Sequence, residues 1–248
     1  MEIVFCILIG VLASTVAVFT IKCYIPRIVD SKNKKIKTDN PPEGKPLDAD
    51  ENAPADSGAV PELKYTFSKK RTIILAAFSG IFGALVGYFA FINASDDVAL
   101  MKLVVGFVVL TCAMVTDVEL MIVPNLCSLV LIIGRVVFCL IELLLKQEGV
   151  LQVLLRNLIT AVVVLAILLI LSKITKGGIG MGDVKTYSSL AFLCGTSAIV
   201  YTFIVSLFFS AIASVVLLVA KKKKIKDALP MGPFIWLAFG VSVMLSLA

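Results

Sequence analysis

Along the chain, apolar residues gather in runs of about 20 separated by short polar breaks, the length a helix needs to cross a bilayer core. The runs are continuous rather than alternating, which excludes the ten-residue alternation of a transmembrane barrel. They fall at about 3–23, 72–94, 98–116, 121–145 and 150–172, followed by a stretch from 186 to 220 and a last run from 232. As one helix, the 186–220 stretch would be about 52 Å long, against a hydrocarbon core of about 30 Å. A break near Gly195 divides it into a short sixth helix and a full seventh, and the run from 232 makes an eighth. The predicted fold is all-α: a polytopic transmembrane helical bundle of about eight spans.

One long polar segment divides the chain into a first span (1–23), a loop (24–71) and a membrane domain (72–248). The first run starts Met-Glu and is followed, not preceded, by Lys22, so it reads as a retained span rather than a cleaved signal. The loop's flanks are basic (Arg27, Lys32, Lys34, Lys35 and Lys37, then Lys69, Lys70 and Arg71), which predicts a cytoplasmic location. Its middle, Thr38 to Glu62, is rich in Pro, Asp and Glu and is expected to be disordered. Counting spans from this loop returns every strongly basic segment, including Lys221 to Lys226, to the same side, and puts Asp117 and Asp183 together at that face. In the second span, Ser79, Gly83 and Gly87 at four-residue spacing predict close contact with a neighbouring helix.

Composition narrows the chemistry. Apolar residues make up 59% of the chain, above the roughly 45–50% of soluble domains. There is no histidine, which removes Ser-His and Cys-His pairs, His-Glu-x-x-His zinc chemistry and imidazole relays. The six cysteines, Cys6, Cys23, Cys112, Cys127, Cys139 and Cys194, stand mostly in apolar runs with no C-x-x-C spacing and read as small core residues rather than metal ligands or disulfides. The net charge of +6 is concentrated at span ends, which predicts a lipid bilayer as partner and no nucleic acid.

Carboxylates become the leading candidates. Gly177 to Lys185 reads Gly-Gly-Ile-Gly-Met-Gly-Asp-Val-Lys, placing Asp183 at a membrane boundary among glycines that permit a turn and the close approach of another chain. Between the third and fourth spans, Asp117 ends one helix, and Pro124, which fixes φ and lacks an N–H, suits the first turn of the next. Taken alone, Asp117 reads as a solvated boundary acid. As a pair at one depth, the two acids have what peptide hydrolysis by an aspartyl mechanism requires: one carboxylate to take a proton from water, the other protonated to polarise the scissile carbonyl.

Gly180-Met181-Gly182-Asp183-Val184-Lys185 resembles the G-x-G-D signature of membrane aspartyl proteases, and specifically of the type IV prepilin peptidases. Asp117, followed by Pro124-Asn125, is similar to that family's first catalytic aspartate and its downstream Pro-Asn/Asp, and Pro230-Met231-Gly232-Pro233-Phe234 resembles a third segment opening the last helix. The resemblance covers about 72–248. It implies catalytic Asp117 and Asp183, motif residues Gly180, Gly182, Lys185, Pro124 and Asn125, and no cofactor. It also implies removal of a short basic leader from prepilins or pseudopilins at the cytoplasmic face of a bacterial plasma membrane. Larger members carry paired C-x-x-C motifs that bind zinc in their first cytoplasmic loop; residues 24–71 have none, so the chain resembles the peptidase-only branch, without metal or methyltransferase activity.

Other polar residues have plainer readings. Lys185 snorkels to the interface, or tunes the acid, or meets substrate. Glu119 is the less favoured acid beside Asp117, and Arg135, mid-span, is expected to pair with Glu142 two turns on. Three other functions compete: a transporter using the two acids as relays, a non-catalytic scaffold, and a serine-lysine peptidase. The placement of both acids at one face argues against transport.

Overall fold

A computed structural model describes residues 2–39, 69–175, 179–220 and 229–245, and its regular structure among the described residues is helical. The elements are α1 (Glu2–Phe19), a π-helical turn (Thr20–Tyr24), α2 (Ile25–Asp39), α3 (Lys69–Asn93), α4 (Asp97–Leu120), α5 (Asn125–Leu144), α6 (Val150–Ile174), α7 (Met181–Cys194), α8 (Thr196–Val219) and α9 (Gly232–Met244). Six helical stretches are long and apolar enough to cross a membrane: Val4–Ser31, α3, α4, α5, α6 and α8. The short helices α7 and α9 complete a polytopic bundle in keeping with about eight spans.

The excess length at 186–220 is resolved at Gly195, whose φ of 91° lies where a side chain would be strained. There α7 ends and α8 begins. The first helix differs from expectation, because it does not stop at Cys23 but continues through the π turn to Asp39. Ile25 and Val29, one turn apart and buried, keep that continuation packed against the bundle despite its basic residues. Of the segment Thr38 to Glu62 expected to be disordered, Thr38 and Asp39 are the last residues of α2, and 40–62 lies outside the described residues, as does the basic run Lys221–Lys226.

The small-residue stripe on α3 meets α1. A Cβ on Gly83 would stand 2.9 Å from the Ala13 Cβ, and one on Gly87 would stand 2.8 Å from Ile9 Cδ1. Ser14 Oγ donates to the Ala76 carbonyl at 2.7 Å across the same seam. Such close backbone approach is how helices associate where lipid removes the hydrophobic incentive. Deeper in the bundle, fully buried Trp236 of α9 packs on Phe82 and Phe107, with ring centroids 4.7 and 5.3 Å away. Its indole N–H donates to Thr111 Oγ1 at 2.9 Å, so the one polar atom of this large side chain is satisfied. This cluster ties α9 to α3 and α4. The outer faces of α5, α6 and α8 expose Ile133, Val163, Phe208 and many similar side chains, a surface suited to acyl chains.

Candidate active site

Asp117 lies in the last turn of α4 and is buried, 5% exposed. Two features fix it. Its backbone carbonyl accepts the N–H of Met121 at 2.9 Å, and Met121, at φ 52°, adopts the left-handed conformation that stops the helix. Its side-chain Oδ2 accepts the backbone N–H of Gly232 at 2.7 Å, from the N-terminus of α9. A Cβ on Gly232 would stand 2.8 Å from the Asp117 Cβ, so only glycine lets the α9 backbone reach the carboxylate.

Asp183 occupies the first turn of α7 and is buried, 8% exposed. Its Oδ1 has no hydrogen-bond partner among the described residues. The two carboxyls come from helices that pack together and are close enough to interact electrostatically. They present one fixed, hydrogen-bonded oxygen and one free oxygen at the same end of the bundle.

The glycines around Asp183 act through their lack of a side chain rather than through unusual dihedrals. Gly180 has φ −65° and ψ 140°, open to any residue, and Gly182 lies within the helix. A Cβ on Gly182 would be 2.9 Å from the Val123 Cβ, and one on Gly180 3.0 Å from Asp183 Oδ2. The close approach expected of another chain is thus made here by this chain's own α4–α5 loop. Gly177 and Gly178 lie outside the described residues.

Pro124, at φ −67° and ψ 137°, is the N-cap of α5 and sets Asn125 at its first position. Asn125 Oδ1 accepts a hydrogen bond from Lys185 Nζ at 3.1 Å, joining the two sequence segments across 60 residues. Lys185 is exposed, with its ammonium on Asn125 rather than on an acid. Glu119 turns the other way, 3.9 Å from the Arg71 guanidinium on α3. Met121, Val123 and the Gly232 N–H escape residue-type reasoning, since neither a backbone donor nor a left-handed methionine leaves a sequence signature.

Arg135 pairs with Glu142 at 3.0 Å, and Lys102 adds a second contact to the same carboxylate at 2.7 Å. This group lies toward the C-terminal end of α5, away from the aspartates.

The fold and site together define a helical membrane protein with two buried carboxyls near each other at one end of its bundle. Residues 104–215, which hold both aspartates, match the type IV leader peptidase family. Over that stretch the chain carries the pattern of this family, which supports a membrane peptidase; the α9 segment lies beyond it. Comparison with curated proteins and with solved structures found no match.

Proposed function

We propose that the protein is a membrane aspartyl endopeptidase that removes the basic leader of type IV prepilin-like proteins, at the cytoplasmic face of a bacterial plasma membrane. The observation that carries this reading is that buried Asp117 and Asp183, on helices packed against each other, are near enough to interact electrostatically, within a stretch that matches the leader peptidase family. Two adjacent carboxyls share one proton most readily, because like charges at close range resist double ionisation. The ionised partner takes a proton from the attacking water while the protonated one hydrogen-bonds the scissile carbonyl. Collapse of the tetrahedral intermediate then returns a proton to the leaving amine.

In this reading the Gly232 N–H steadies Asp117 in one orientation, and the Lys185–Asn125 link holds the first turn of α7 against the start of α5. Catalysis belongs to 72–248, and cleavage is not accompanied by methylation.

The test is cleavage of a prepilin peptide in liposomes. Asp117→Asn and Asp183→Asn should each abolish it while the protein stays folded, and the double variant should be no worse than either single, since groups acting as a unit are non-additive. Wild-type cleavage by Asp183→Asn would overturn the aspartyl mechanism and favour the two acids as transport relays.

A further inference from the structure

A second polar constellation lies at the end of the bundle away from the aspartates. A cavity of about 290 Å³ is walled by Asn93 at the end of α3, Lys102 of α4, Arg156 and Asn157 of α6, and Cys194 at the end of α7. A neighbouring cavity of about 260 Å³ shares Arg156 and Cys194 and opens onto Gly195, Thr196 and Ser197, where α8 begins. Lys102 and Arg156 thus bring two cations to the cavity wall, and Arg135, which lines neither cavity, lies behind Cys194 near enough to act on it electrostatically.

The acids nearby do not saturate them. Glu142 serves both Lys102 and Arg135, and Asp96 is engaged by the Ala99 N–H and the Gln147 amide. Arg156 has no ion pair among the described residues, and fully buried Arg135 leaves Nε and Nη2 without an acceptor. At the start of α8 no side chain caps the free N–H groups. Asn157, 4% exposed, gives its amide N–H to the Phe192 carbonyl at 3.3 Å, and its Oδ1 has no donor. That oxygen faces Gly195, 3.0 Å from where a Cβ would stand.

The corner therefore lacks one anionic acceptor and one hydroxyl donor. Cations with a helix N-terminus suit phosphate, and an orphaned amide oxygen suits an alcohol. Leu155 and Ile159 on α6 and Val200 on α8 are exposed beside Arg156 and offer a bed for acyl chains. We propose that this corner binds the glycerophosphate headgroup of an anionic phospholipid, its phosphate at Arg156 near Lys102 and the N-terminus of α8, and a headgroup hydroxyl on Asn157 Oδ1.

Thermal unfolding of the purified protein in detergent, titrated with phosphatidylglycerol, phosphatidic acid, phosphatidylcholine or inorganic phosphate, tests this. Phosphatidylglycerol should raise Tm saturably, phosphatidic acid less so, and phosphatidylcholine not at all. Arg156→Gln, on an exposed side chain, should leave the lipid-free Tm unchanged and weaken half-saturation about tenfold, the usual loss for one charge-assisted contact. Equal shifts from phosphatidylglycerol and phosphatidylcholine, or an undiminished response in Arg156→Gln, would overturn the proposal. Protection by inorganic phosphate as strong as that by phosphatidylglycerol would assign the site to a free phosphate compound and reject the lipid.

Discussion

At the scale of single residues, the region around the two aspartates depends on atoms that are missing. Gly232 and Gly182 each stand where a Cβ would meet a neighbour at 2.8 and 2.9 Å, the first at Asp117 and the second at Val123. Gly232→Ala should push α9 off the carboxylate and remove its hydrogen bond, and Gly182→Ala should displace the α4–α5 loop. Each should lower the rate of prepilin peptide cleavage about 10- to 100-fold, the scale of a misplacement near 1 Å. Glu119→Gln, at a carboxylate whose ion pair is with Arg71 rather than with either aspartate's surroundings, should keep most activity. The two acids were legible in the sequence because charges stand out at the edges of apolar runs. The Gly232 contact was not, because a backbone N–H donating across 115 residues has no pattern of its own.

At the scale of elements, hydropathy located the helices well where their ends coincide with polar breaks, and less well where a charged stretch stays packed. Lys22 and Arg27 suggested an end near Cys23, yet Ile25 and Val29 hold the helix to the bundle beyond it. The Gly195 break was readable from length alone, since no single helix of that length fits one bilayer crossing. Arg135 and Lys102 show how α4 and α5 are locked by charge, with Glu142 between them. Glu142→Gln would leave the fully buried Arg135 guanidinium without its counter-ion. It should destabilise the protein by roughly 3–5 kcal/mol, as removal of one partner of a buried pair does. Thermal unfolding in detergent measures this loss, and the loss should exceed that from Arg156→Gln.

At the scale of the whole molecule, the expected cytoplasmic placement of the aspartates can be checked by labelling. In a background stripped of other thiols, Lys173→Cys at the end of α6 should react only with a reagent that enters cells, and Glu148→Cys at the opposite end with an impermeant one. The reverse pattern would put the carboxyl pair outside. Bundle geometry adds a further consequence. The helix whose first turn holds Asp183 has 14 residues and the one that opens with Gly232 has 13, about 21 and 20 Å, well short of a hydrocarbon core of about 30 Å. Both are enclosed by longer neighbours rather than bathed in lipid, so their shortness leaves a recess at the aspartate end of the bundle that water can enter. A peptide bond at the membrane edge could then reach the aspartates from the aqueous side without its chain being drawn into the bilayer. Because protein rather than lipid walls this recess, hydrolysis should change less than about twofold between liposomes of roughly 14-carbon and roughly 22-carbon lipids.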